Sequence, residues 1–347
     1  MPNLSTLYAT IQKNCHISDG NFAQDYGLCT YLLKMRQLYR WENKLPLTAQ
    51  LSQQDIGNWL MAREQLWETL ADESFACIPV ADKCYDPFDT VAINQVLLPY
   101  RLIYSAGYGH FGKPLFFIGQ LRQHEWREGL EIFIVAEEYA RDLTAPPAMS
   151  QNNMIFIRQE ALRQTLWENI EAWSWKKADH HLVQLLEIYQ AQQSLEIALD
   201  KMVEDEIASL IYHEIGEVKA SQLLGEDWEK MLITVAGTKA EWLARAVRDH
   251  LADCLVTLPQ ILDEAQTSTL LLYFANLKGL RKALFPSLFT AYQHWLQEKN
   301  NLIILQQVVK NGQNYWLNVA QSLLELYQTH PQESTWLIIQ QLEQISL

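Results

Sequence analysis

Between Leu199 and Leu224 apolar residues recur at spacings of three and four with no proline to interrupt them, the pattern of one long amphipathic helix. A helix turns by about 100° per residue, so Glu206, His213 and Glu217 fall within roughly 40° of one another. Leu199, Met202, Leu210, Ala220 and Leu224 lie on or beside the same face. The polar triplet therefore interrupts an apolar stripe. Ionisable groups placed there are costly unless they are paired, hydrogen-bonded or bound to a cation, so the rest of the chain has to offer partners.

Lys239 to Leu258 reads as a second helix and supplies candidates. Leu243, Val247, His250 and Cys254 form its stripe, with Asp253 three residues after His250 and Asp249 just before it. Two facing helices of this kind bring His213, Glu217, His250 and Asp253 to one point, with Glu206 or Glu138, or its neighbour Glu137, completing or bridging the set. Imidazole and carboxylate donors suit iron, manganese or zinc better than calcium. The order His-x-x-x-Glu and His-x-x-Asp departs from the Glu-x-x-His of ferritin-like di-iron bundles. No second histidine follows His213-Glu214 four residues on, which excludes a zinc-protease helix.

Two functional expectations follow. One is a metal-dependent enzyme, an oxidase or hydrolase, with Tyr212 or Arg281 orienting a small-molecule substrate. The other is a non-catalytic helical interaction or assembly protein, in which the triplet is a buried hydrogen-bond network that fixes helix register.

A chain of 347 residues, 49% of them hydrophobic, can bury a large core, so two or three domains or one large helical body are expected. The net charge of −14, from 27 basic and 41 acidic residues, argues against a nucleic-acid or anionic-membrane partner. Cys15, Cys29, Cys77, Cys84 and Cys254 are unevenly spaced and include no CxxC pair. They read as free thiols of a cytoplasmic protein, with a redox pair of Cys77 and Cys84 in a loop as the lesser alternative. Nothing resembles a signal segment or a membrane span, and a soluble chain is expected.

The fold class expected is mainly α, a large bundle-like helical body with a small antiparallel hairpin or three-stranded sheet inserted around residues 113–158. Residues 1–158 form an N-terminal helical region with that β element, and residues 159–347 an all-helical region carrying the His/carboxylate cluster. Ser18-Asp19 reads as the cap of a helix running from Phe22 to Trp41, and Ser52 to Leu70 as its hairpin partner. Val91 to Tyr104 reads as helix and Leu115 to Leu121, Leu130 to Ala136 and Ile155 to Arg158 as strands; if Glu137 to Asp142 is a helical turn, Glu138 and Asp142 share a face and either complete a metal site or hold Arg141 in an ion pair. The loop Gly107 to Pro114 holds a lysine, but a proline and a strand follow it, which excludes a Walker phosphate loop. In the last third, a helix from Ile303 to Gln328 is expected to break near Lys310 to Gly312.

Several stretches carry a resemblance. They are Cys15-His-Ile-Ser-Asp19, Leu28 to Arg36, Tyr39-Arg-Trp-Glu42, Gly109 to Pro114, Ala140-Arg-Asp-Leu143, Ala145-Pro-Pro-Ala-Met149 and Leu251-Ala-Asp-Cys-Leu255. Together they resemble a family of uncharacterised bacterial proteins of unknown function. The resemblance implies a soluble bacterial protein and supplies no activity, cofactor or catalytic residue.

Overall fold

The computed structural model of the chain describes residues 3–109, 112–175, 180–298 and 301–344, so His110 and Phe111 of the glycine-rich loop lie outside the described residues. It divides into two units, Met1–Glu168 and Asn169–Leu347. The N-terminal unit starts with helices α1 (Leu4–Phe22), α2 (Leu28–Glu42) and α3 (Gln53–Leu70), followed by a hairpin of β1 (Ile78–Val80) and β2 (Lys83–Tyr85) and by helix α4 (Thr90–Leu97). Strands β3 (Leu102–Tyr108), β4 (Pro114–Arg127), β5 (Leu130–Arg141), β6 (Ala148–Gln151) and β7 (Met154–Arg158) then form one sheet in the order β3-β4-β5-β7-β6. The β5–β7 pair is parallel and the other pairs are antiparallel.

This five-stranded mixed sheet, with a separate two-stranded hairpin, is larger than the small inserted element that the sequence suggested. The shortfall has physical causes. Leu102 to Tyr104 looks like the end of a helix, because a short apolar run does not separate strand from helix. Arg101, at φ 55°, stops the helical run and the chain turns into β3. Glu137 to Arg141 continues β5 as strand, not as a helical turn. The alternation that marks a strand is hidden there, since Glu138, Ala140, Arg141 and Asp142 are all buried. Opposite them the β4–β5 register shifts around Gly119, where a side chain would meet the Glu137 carbonyl oxygen at 2.5 Å. That close approach holds the bulge.

Ser18 and Asp19 lie inside α1, which is capped instead by Asn3. They were misread because their oxygens bond to groups remote in sequence. Ser18 donates to the Pro114 carbonyl, Cys15 to that of Phe116, and the Asp19 carboxylate accepts from Lys113 Nζ at 2.8 Å and from the Leu143 N–H. Gln12 bonds both the N–H and the carbonyl of Arg141, at 3.1 Å each. A row of polar side chains thus fastens α1 to β4, β5 and the segment after it.

Cys77 and Cys84 are not free thiols. They form a disulfide across the β1–β2 hairpin, with Cα atoms 5.6 Å apart, leaving Cys15, Cys29 and Cys254 free. Spacing alone hid the pairing, because it depends on the hairpin that brings the two residues opposite each other.

Helix α5 (Gln159–Trp175) leads into the C-terminal unit, whose elements among the described residues are all helical: α6 (His180–Ile188), α7 (Leu195–Leu224), α8 (Glu226–Thr234), α9 (Lys239–Ala252), a π-helical turn (Asp253–Thr257), α10 (Leu258–Glu264), α11 (Thr267–Asn276), α12 (Gly279–Leu284), α13 (Pro286–Gln297), α14 (Ile303–Thr329) and α15 (Ser334–Glu343). Ser194 caps α7 by accepting the Ile197 N–H, and Gly225 ends it at φ 75°. Trp228 and Trp316 are fully buried in the core of this unit. Helix α14 shows no break at Lys310 to Gly312. Gly312 instead gives clearance: a Cβ there would meet Cys254 Sγ at 2.7 Å. Among the described residues, no helix is long and apolar enough to cross a membrane.

Candidate metal centre

Helix α7 carries His213 and Glu217 one turn apart, and the Cβ-less face of Gly216 lies between them in sequence. A side chain on Gly216 would meet the Ala252 carbonyl oxygen at 2.5 Å, so at this point α7 and α9 approach backbone to backbone. Immediately after Ala252 the helix widens into its π turn, with Leu258 N–H bonded to the Asp253 carbonyl. Continuing the same ladder, Pro259 would have to donate to Cys254, but proline has no N–H. Gln313 on α14 supplies the missing donor, Nε2 to the Cys254 carbonyl at 2.7 Å. The π turn is therefore held by Pro259 within its own segment and by Gln313 from a distant helix, and such turns recur at functional sites. Here its first residue, Asp253, faces His213.

His213 Nδ1 lies 2.8 Å from Asp253 Oδ1, and its Nε2 lies 3.4 Å from Glu217 Oε1. The other oxygen of Glu217 accepts from Arg248 Nη2 at 2.8 Å. The other oxygen of Asp253 accepts from Tyr273 Oη at 2.6 Å and from Arg281 Nη2. Asp249 Oδ1 stands 3.7 Å from Arg248 Nη2. One donor atom from each of His213, Glu217 and Asp249 falls within 4.8 Å of the other two.

The electrostatics follow from these contacts. Burial by itself disfavours charge on His213, but the Asp253 carboxylate, helped by Glu217, reverses that and holds its pKa well above the usual histidine value. For Asp253 burial is likewise outweighed, by Arg281 and then His213, and its carboxyl stays below the ordinary range. Glu217 is pulled down against burial by Arg248 and His213, whereas burial dominates at Asp249 and raises it. Without an ion, three carboxylates face two guanidiniums, and a proton on His213 neutralises the remainder.

Not every expected ligand joins this group. His213 and Glu217 do. Asp253 stands one bond back, orienting the His213 ring, and its place is taken by Asp249, its neighbour one turn earlier. His250 takes no part: its Nε2–H donates to the Arg281 carbonyl at 2.8 Å and its ring stacks on Trp316 at 4.7 Å between centroids. Burial, with Arg281 nearby, lowers its pKa to about 3, so it is neutral. Glu206 accepts from Asn276 at 3.2 Å, leaves its Oε2 buried without a partner among the described residues, and burial raises its pKa to about 7. Glu138 belongs to the N-terminal unit, where both its oxygens take the Arg158 guanidinium, at 2.8 and 2.7 Å. Tyr212 donates to Glu264 at 2.7 Å, while Arg281 does contact the cluster, through Asp253. Sequence reasoning missed Arg248 and Tyr273. The only signal for Arg248 was its position one residue before Asp249, and Tyr273 carried none.

Family models match the chain over most of its length: the N-terminal domain of a family of unknown function (DUF6866) over residues 6–158, and the C-terminal domain of the same family over residues 163–345. No curated protein and no solved structure matches.

Proposed function

Because the chain belongs to the DUF6866 family of unknown function and inherits no activity from it, we propose from the site alone that it is a metal-dependent enzyme, an oxidase or hydrolase acting on a small molecule. The observation that carries this reading is the triad of His213, Glu217 and Asp249 donor atoms gathered within 4.8 Å. Donors on one transition-metal ion stand about 2.0–2.2 Å from it and about 3 Å from each other, so a modest contraction would close the set. The outer contacts fit as well. Metal-binding histidines commonly donate their second ring nitrogen to a carboxylate, the part Asp253 plays for His213. Nitrogen with two carboxylates suits iron, manganese or zinc. Such an ion would supply Lewis acidity, an activated water or, if redox-active, electron transfer. Tyr273 and Arg281 would hold Asp253, and Arg248 would hold the second oxygen of Glu217.

A non-catalytic helical protein with a buried polar network is the second reading. The protonated His213, already bonded to Asp253, favours it, because the cluster reaches charge balance with a proton in place of an ion. Elemental analysis of untagged protein separates the two, beside a His213→Ala/Glu217→Gln variant checked for folding by circular dichroism. Near-stoichiometric iron, manganese or zinc in the wild type, lost in the folded variant, supports the enzyme reading. Absence of metal after anaerobic reconstitution sinks it. The cytoplasmic setting, expected from five unevenly spaced cysteines, now rests on the three free thiols alone and stands against the Cys77–Cys84 disulfide, since such bonds are rare there.

A further inference from the structure

The two arginines of the cluster bear on what the centre would bind. Arg248 and Arg281 remain charged at any working pH, and their planar forks match carboxylate and phosphate oxygens. Each spends an Nη2 on a carboxylate of the cluster. Each also keeps a buried Nε–H with no hydrogen-bond partner among the described residues. A buried guanidinium donor left unmatched is costly, so it calls for an acceptor. The cluster is not sealed from solvent: the side chains of Arg281 and Arg248 are 29% and 14% exposed, and those of Glu217 and Asp249 19% and 22%, whereas that of Asp253 is 1%.

Charge points the same way. Among the directly bonded groups, three carboxylates exceed two guanidiniums by one negative charge when His213 is neutral. A divalent ion turns that deficit into one positive charge. Counting those bonded groups alone, one anion balances a loaded centre, with Glu229 and Glu214 acting on Arg248 from outside the set.

Resting on the metal reading above, we propose that the centre takes an anionic substrate whose carboxylate or phosphate oxygens are received jointly by the metal, Arg248 and Arg281. The anion completes both the charge and the unmatched guanidinium donors.

The test is a calorimetric titration of the full chain with Mn2+, alone and with methyl phosphate or acetate, paired with the reverse titration of each anion in the presence of Mn2+. Binding linkage is reciprocal, so a real site shows the same coupling in both directions. Tightening of Mn2+ binding by tenfold or more with either anion supports the proposal, and the anion that does so tells phosphate from carboxylate. Arg281→Lys and Arg248→Lys, which keep the charge but not the fork, should reduce that coupling by fivefold or more, read in each variant as the ratio of Mn2+ affinities with and without the anion, so that a change in Mn2+ affinity itself cancels. Mn2+ binding that neither anion changes by more than twofold overturns the anion proposal and leaves the metal reading standing. No Mn2+ binding under any condition overturns both.

Discussion

The two units both bury charge, and they settle it differently. In the N-terminal unit two buried pairs are closely matched: Glu138 grips Arg158 through two bonds of 2.8 and 2.7 Å, with Arg141 at 3.6 Å beside it, and Asp19 meets Lys113 at 2.8 Å while accepting the Leu143 N–H. In the C-terminal unit Glu217, Asp249 and Asp253 crowd against Arg248 and Arg281, and His213 has to carry the balance. Matched pairs fix one strand or helix against another. A surplus carboxylate leaves a place that a proton or an ion can fill, and that contrast separates tether from candidate site.

The largest expected effect lies on the tether side. Glu138→Gln leaves the fully buried Arg158 guanidinium without its counter-charge, and breaking a buried pair in this way costs about 3–5 kcal/mol. Urea denaturation should show that loss. Metal content should stay unchanged, because Glu138 belongs to a different unit from the His213 cluster. Loss of metal in this variant would erase the distinction between tether and site.

Next comes the carboxylate that neither pattern accommodates. Glu206 has one buried oxygen without a partner among the described residues, and burial raises its pKa from 4.5 to about 7. A folded-state pKa above the unfolded one means that the native chain holds the extra proton between those values. The associated stability is full below about pH 4.5 and is lost as pH rises toward 7. Glu206→Gln should therefore match the wild type near pH 4.5 and exceed it by on the order of 2–3 kcal/mol at pH 8. Equal denaturation midpoints at both pH values would show that Glu206 is solvated or paired in solution.

How much of this was legible depends on how local each cause is. Helices α7 and α9 stood out because their stripes depend only on spacing, and His213 with Glu217 followed from a single helical turn. That Asp249, and not Asp253, gathers with His213 and Glu217 was not legible, since Asp253 opens a π turn that leaves regular helical spacing and is held in part by Gln313, 59 residues from its partner Cys254. Asp19 looked like a helix cap because its true partners, Lys113 and Leu143, are distant in sequence. Strand β5 lost its signature for a related reason. Its charged residues are buried by pairing, so polarity no longer marks the outer face.

Gly216 tests whether the crowding at the site is imposed by the backbone. Gly216→Ala places a methyl group 2.5 Å from the Ala252 carbonyl oxygen, and since both sides are backbone, α7 and α9 must separate. Overpacking of this kind costs about 1–3 kcal/mol. The same movement should pull His213 from Asp253 and lower any metal stoichiometry, which elemental analysis would read. A variant of full stability and metal content would mean that the approach at Gly216 is incidental.

The smallest effect should come from His250, and it sharpens the boundary of the site. His250→Phe keeps the aromatic stack on Trp316 and the edge contact with Phe285, and removes the unpartnered Nδ1. It also takes the Nε2 donor from the Arg281 carbonyl, a neutral hydrogen bond with a net worth of about 1 kcal/mol. Loss of the donor and relief of the unmatched nitrogen oppose each other, so the change in stability should stay within about 1 kcal/mol. Metal content should not fall, because His250 is committed to the Arg281 backbone and to Trp316 and makes no bond to His213, Glu217 or Asp249. If the metal is lost from a variant that is otherwise as stable as the wild type, the donor set has to be redrawn around the second histidine. That outcome would return the centre to the two-histidine arrangement that the helix stripes suggest.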